Sequence, residues 1–161
     1  MKANSRNDKI SFTMKEKYNK LVTTLDTNNH SVFNLNYHLV LVVKCRRKVL
    51  NKQMVSRIRE IGEYIGNRYH INFLEVNHEK DHMHILFKAH PKSALSKYIG
   101  AFKSASSRLI KKEYPHVKEK LWKECFWSQS YCLISTGGAP LEVIKSYIQT
   151  QGEKKRKANG Q

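Results

Sequence analysis

Apolar residues along the chain recur with two different spacings. From Val32 to Val43 the residues are rich in β-branched, aromatic and aliphatic types, and the basic cluster Lys44-Cys45-Arg46-Arg47-Lys48 then ends the run, which predicts a long first strand. Met54, Ile58, Ile61 and Ile65 follow at helical spacing, with Arg57, Arg59, Glu60, Glu63 and Arg68 on the other side, which predicts an amphipathic helix. Short β-like runs then cover Ile71 to Val76 and His82 to Ala89, separated by the turn-forming Asn77 to Asp81, so a hairpin is expected. Leu95, Tyr98, Ile99, Phe102 and Leu109 make the apolar stripe of a second helix. Residues 113–127 show neither period. Ser128 to Ser135 reads as a fourth strand, after which Gly137-Gly138-Ala139-Pro140 breaks the chain and starts a last helix with proline in its first turn.

The order β-α-β-β-α-β, then a helix, predicts an α+β fold of ferredoxin-like (RRM-like) type, an antiparallel sheet with its helices on one face. The opposite face must then be used or covered. The polar residues 1–29 read as a flexible N-terminal extension, with a short helix conceivable from Phe12 to Leu25, residues 30–152 as one domain, and 153–161 as a basic C-terminal tail.

Charge then narrows the partners. The 161 residues include 30 Lys and Arg against 13 Asp and Glu, a formal charge of +17, and such a field attracts polyanions. Residues 1–30 hold six bases and three acids and residues 152–161 hold four and one, which leaves about +11 on the middle of the chain. The excess therefore decorates the part expected to fold. Three cysteines, Cys45, Cys125 and Cys132, lack the paired spacing of a disulfide framework or zinc knuckle. No run approaches the roughly 20 apolar residues of a membrane helix, and the first residues do not look like a signal peptide. A soluble, cytoplasmic protein with no membrane partner is expected.

Two motifs overlap in the hairpin. His78-Glu79-Lys80-Asp81-His82 spells a zinc-protease pattern, which needs a helix to put both histidines on one face. The turn residues inside it and the β-like runs on either side argue against that helix. His82-Met83-His84, in contrast, suits a strand: residues two apart share a face about 6–7 Å apart, close enough for two imidazoles to converge on one ion. Met83, Ile85, Phe87 and Ala89 would then point into the helices. With eight histidines in the chain, such a pair arises by chance roughly a third of the time, so it needs corroboration. Tyr147 and Gln151 supply some, standing four residues apart on the last helix beside the stripe of Leu141, Ile144 and Ile148.

The combination of Lys80-Asp81 before His82-Met83-His84, then Ile134-Ser135-Thr136-Gly137-Gly138-Ala139-Pro140-Leu141, then Tyr147-Ile148 and Gln151, closely resembles the single-tyrosine HUH transposases of the insertion-sequence 200/605 family. Tyr37-His38 and Arg46-Arg47-Lys48-Val49-Leu50 extend the resemblance from about His30 to Gln151. It implies Tyr147 as the nucleophile that attacks single-stranded DNA and becomes linked to its 5′-phosphate, releasing a 3′-hydroxyl. It implies His82, His84 and Gln151 as ligands of a divalent metal, Mg²⁺ or Mn²⁺, and DNA hairpins and a second copy of the chain as partners. No nucleotide cofactor is needed, because the phosphotyrosine keeps the energy of the broken phosphodiester. Asp81 reads first as a turn residue and second as a group that could orient His82.

Lys44, Arg46, Arg47 and Lys48 on a loop, and Lys103, Arg108 and Lys111 along the second helix, are candidate DNA contacts. Two other readings stand beside this one. A ferredoxin-like RNA- or DNA-binding module without chemistry would need only the charge and the free sheet face. A domesticated HUH endonuclease acting on repeated chromosomal hairpins would use the same chemistry.

Overall fold

The computed structural model describes residues 25–137 together with Lys145, Ser146 and Gln149. By contacts the chain divides into two units, Met1–Asn34 and Leu35–Gln161. In the first, β1 (Asp26–Asn28) and β2 (Ser31–Phe33) form a short antiparallel hairpin with Thr27 opposite Val32. The Asn28 side chain closes its turn, accepting from the backbone N–H of Ser31 at 2.8 Å. The short helix expected from Phe12 lies outside the described residues.

The second unit holds β3 (Leu35–Val42), α1 (Lys52–Tyr69), β4 (Ile71–His78), β5 (His82–Ala89), α2 (Leu95–Glu113) and β6 (Cys132–Ser135). The sheet order is β4-β5-β3-β6, every neighbouring pair antiparallel. This is the ferredoxin-like arrangement that the element order predicts. Because side chains alternate along a strand, the register assigns each residue to a face. Leu39, Leu41, Met83, Ile85, Phe87 and Ala89 fall on one face and pack with Met54, Ile58 and Ile61 of α1 and Tyr98, Ile99 and Phe102 of α2 in one core.

Both helices follow their apolar stripes. Asn51 caps α1 through its side-chain oxygen, which accepts from the Met54 N–H at 2.9 Å, so one orphan donor of the first turn is satisfied. His70 ends the helix in the left-handed conformation at φ 56°. Helix α1 packs closely at its glycines: a β-carbon on Gly62 would stand 2.6 Å from the Phe73 ring of β4 and 2.9 Å from the Phe102 ring of α2, and one on Gly66 would stand 2.6 Å from the Ile71 carbonyl oxygen of β4. Arg57 of α1 also grips Glu113 of α2 through two bonds of 2.9 Å.

Two expected strands come out shorter. The run from Val32 to Val43 is interrupted at Asn34, and its two parts take different partners, β1 for the first and β5 with β6 for the second. An apolar run carries no record of which strand each part will pair with. The expected strand from Ser128 pairs only from Cys132. Ser128 instead gives its N–H to the Val42 carbonyl at 2.8 Å, and the Gln129 carbonyl accepts from Lys103 at 2.7 Å, so this stretch is tied to neighbours outside a strand ladder. Residues 115–124, without a period in the sequence, form two 3-10 turns around the buried Val117. No helix among the described residues is long and apolar enough to cross a membrane.

Candidate active site

On the sheet face away from the helices, β5 offers His82 and His84, and β3 offers His38. The register places His82 opposite Val42 and His84 opposite Val40, one diagonal step from His38. Their rings are neighbours: His82 and His84 have centroids 5.0 Å apart, edge to face, and those of His38 and His84 are 5.2 Å apart with their planes 30° from parallel. His78, in contrast, pairs with Met83 and so lies on the other face from His82. The zinc-protease pattern is thereby excluded, because its two histidines sit on strands and point to opposite sides of the sheet.

Each histidine of the His82-Met83-His84 motif is held through its Nδ1. Asp81 Oδ1 lies 2.6 Å from His82 Nδ1, and the other oxygen of Asp81 accepts from Arg46 Nε at 3.0 Å. Burial alone would push the Asp81 carboxyl up, but the hydrogen bonds and charges of His82 and Arg46 outweigh it and hold the carboxyl below its ordinary value. Asp81 is thus both the turn residue before β5 and an orienter of His82. His84 Nδ1 lies 3.0 Å from His38 Nε2.

His84 is the most constrained member, only 8% exposed, and its Nε2 is buried with no hydrogen-bond partner among the described residues. Burial, then the neighbouring His38 and His82 rings, pulls its pKa down to about 4, and burial likewise lowers His38. Both imidazoles are therefore neutral at pH 7, as a ligand or acceptor must be. The face is less open than the sequence suggests, since Leu86, on the same side, is fully buried. The central strand is covered on both faces from Met83 to Phe87.

An unsatisfied buried ring nitrogen beside a second imidazole fits a divalent cation, whose binding would satisfy the orphan lone pair. Two of the three ligands expected from the sequence are thus side by side. Among the described residues no group of three His, Cys, Asp or Glu is arranged to hold a metal. The expected nucleophile Tyr147 and third ligand Gln151 lie outside the described residues. Near them in sequence, Lys145, Ser146 and Gln149 are helical, and the Gln149 carbonyl accepts from Asn77 Nδ2 at 3.2 Å, on the strand position opposite His84.

The basic residues separate into two neighbourhoods. Arg46 is turned to Asp81, Lys44 lies 5.5 Å above the Trp122 ring, and Arg47 and Lys48 border a recess with Glu119 and Lys120. Around α2, Lys103 and Lys111 line a groove of about 680 Å³ with Ser104, Ser107, Lys123 and Tyr131. Burial lowers the Lys103 pKa, and its ammonium stands 5.6 Å from the Tyr131 ring. Arg108 borders a second groove with Lys112 and Lys118. Half-exposed Trp122 and Tyr131 beside these lysines make a surface suited to stacked bases and phosphates. The sequence did not single out these two aromatics or assign His38 a role. His38 becomes visible only once β3 is paired with β5.

Residues 31–151 match the family described as IS200-like transposases. Among curated proteins, the chain is 32% identical over 123 residues to the ISDra2 transposase TnpA of Deinococcus radiodurans, covering 76% of this chain and 88% of that one. It is 27% identical over 124 residues to the transposase for insertion sequence element IS200 of Salmonella typhimurium, covering 77% and 81%. Among solved structures, a candidate transposase from Deinococcus radiodurans superposes with TM-score 0.63 at 26% identity, over 78% of this chain and 97% of that one. A REP-associated tyrosine transposase bound to a REP hairpin shares the fold, with TM-score 0.60 at 11% identity over 81% and 73%.

Proposed function

Since the chain belongs to the family of IS200-like transposases and so is an enzyme that acts on DNA, we propose that it cuts and rejoins single-stranded DNA through a covalent link to Tyr147. The observation that carries this reading is the His82–His84 pair on one face of β5, with a buried Nε2 on His84 that has no partner among the described residues. His82 and His84, joined by Gln151, would hold Mg²⁺ or Mn²⁺. Bound there, the cation would draw charge from the non-bridging oxygens of the scissile phosphate.

The chain's own groups divide the remaining work. The Tyr147 oxygen attacks phosphorus, the bond from phosphorus to the 3′ oxygen breaks, and that oxygen leaves as a hydroxyl with a proton equivalent to the one the phenol loses. Joining is the same exchange in reverse, with a 3′-hydroxyl displacing the tyrosine, so no external energy source is required. Asp81 keeps the His82 ring in one tautomer and one orientation. Lys103, Arg108 and Lys111 along α2, with Lys44, Arg47 and Lys48 on the loop after β3, would neutralise phosphates of a hairpin or its single-stranded flank. The hairpin bound by the REP-associated relative of the same fold supports that substrate class. By the family resemblance the working form is a homodimer.

The test is an adduct assay. Protein incubated with Mn²⁺ or Mg²⁺ and single-stranded oligonucleotides from the flanks of its own gene should give a detergent-resistant protein–DNA species. Tyr147→Phe should abolish it while leaving hairpin affinity within about twofold. Tight hairpin binding with no adduct on any flank would overturn the catalytic reading in favour of a binding module.

A further inference from the structure

The two ring nitrogens of His84 have different fates. Nδ1 lies 3.0 Å from Nε2 of His38, while its own Nε2 is buried without a partner among the described residues. A neutral imidazole carries one N–H and one lone pair, so the contact with His38 decides which nitrogen holds which. If His84 Nδ1 accepted from His38, its Nε2 would carry a hydrogen with no acceptor among the described residues, and no lone pair would face a cation. If His84 Nδ1 donates, Nε2 presents its lone pair.

We propose that His38 is a positioning residue: as its Nδ1–H tautomer it accepts a hydrogen bond from His84 Nδ1–H and so fixes the His84 Nε2 lone pair toward the site shared with His82. The inference rests on the metal-site reading for its purpose, but its geometry is independent of it. His82 is treated the same way by a different group, since the ionised carboxylate of Asp81 can only accept from His82 Nδ1–H. The two motif histidines are thus both set to offer Nε2.

The choice of acceptor follows from place. Asp81 lies at the edge of the site, where Arg46 reaches its second oxygen, so a charge there is paired. His38 lies on the interior strand β3, its ring meeting the edge of the His84 ring across the 3.0 Å contact with the two planes 30° apart. A carboxylate at that position would need its own counter-charge, whereas a neutral imidazole accepts one bond without one. The same in-line bond between two nearly coplanar rings also resists rotation of the His84 ring about its last torsion, so the lone pair is held in direction as well as in tautomer.

Long-range ¹H–¹⁵N correlation spectra of protein labelled in its imidazoles, metal-free and at neutral pH, read the tautomer directly. His84 should be Nδ1–H in the unmodified chain and in His38→Gln, whose amide oxygen can still accept. It should shift toward Nε2–H in His38→Leu. Calorimetric titration of the same proteins with Mn²⁺ should show His38→Leu weakened about 10- to 100-fold, His38→Gln much less, and His82→Ala without binding. A His84 that is Nε2–H in the unmodified chain, or whose tautomer is indifferent to His38→Leu, overturns the proposal whatever Mn²⁺ does. The expected tautomers with no Mn²⁺ binding by any variant would sustain the role of His38 and sink the metal-site reading instead.

Discussion

His82 is held by Asp81 and Asp81 by Arg46, but the two links differ in worth. The His82–Asp81 contact is short and mostly buried, whereas Arg46 is 62% exposed and competes with water for its partner. Asp81→Ala should therefore weaken Mn²⁺ affinity by about 10- to 100-fold, and Arg46→Ala by no more than about fivefold, both read by calorimetry. Equal losses would mean that the carboxylate cannot hold the ring without the arginine. A second buried relay is purely structural. Ser106 accepts from Trp127 Nε1 at 2.9 Å and donates to the Phe102 carbonyl at 2.7 Å, fully shielded from water. Ser106→Ala leaves the indole N–H unsatisfied and should cost about 1–3 kcal/mol in urea unfolding. That His82 and His84 share one face was legible in the sequence, because a period of two puts them there. The contacts of His38 and Ser106 were not, because their partners lie 46 and 21 residues away.

The two long helices show how far element-level patterns reach. Apolar spacing located both, since a helix at the edge of a core must bury one stripe and wet the other. Their glycines look alike in sequence yet differ in place. Gly66 faces the backbone of Ile71, so Gly66→Ala must push carbonyl and helix apart and should destabilise by about 1–3 kcal/mol. Gly100 is exposed on α2 with nothing within 4 Å of an added β-carbon, so Gly100→Ala should stabilise by about 0.5–1 kcal/mol through helix propensity alone. Thermal unfolding of both variants checks the pair, and the same sign in each would contradict this packing. The strands were read less well. β3 and β6 begin later than their apolar runs, because strand ends are set by which neighbour supplies hydrogen bonds rather than by the residues themselves.

Across the whole molecule, the charge of +17 implies that nucleic-acid affinity is largely an ion-release effect. Binding to a single-stranded oligonucleotide should fall steeply with salt. The combined variant Lys103→Ala, Arg108→Ala, Lys111→Ala should reduce the slope of log affinity against log salt by about 2, measured by fluorescence anisotropy. An unchanged slope would move the DNA path off the α2 grooves and toward the loop after β3.

The sequence by itself determined the β-α-β-β-α-β order of the second unit, the helical faces, the strand that carries the two histidines and the family, because all of these follow from local periodicity and ordered short motifs. It also determined the excess of positive charge, though not its arrangement. Only the tertiary structure decided that β3 lies beside β5, which brings His38 against His84, that Arg46 turns to Asp81, and that Lys103 and Lys111 share a groove with Tyr131. These are contacts between residues far apart in the chain. No local pattern encodes them, because each depends on strand register and on how the loops close over the core.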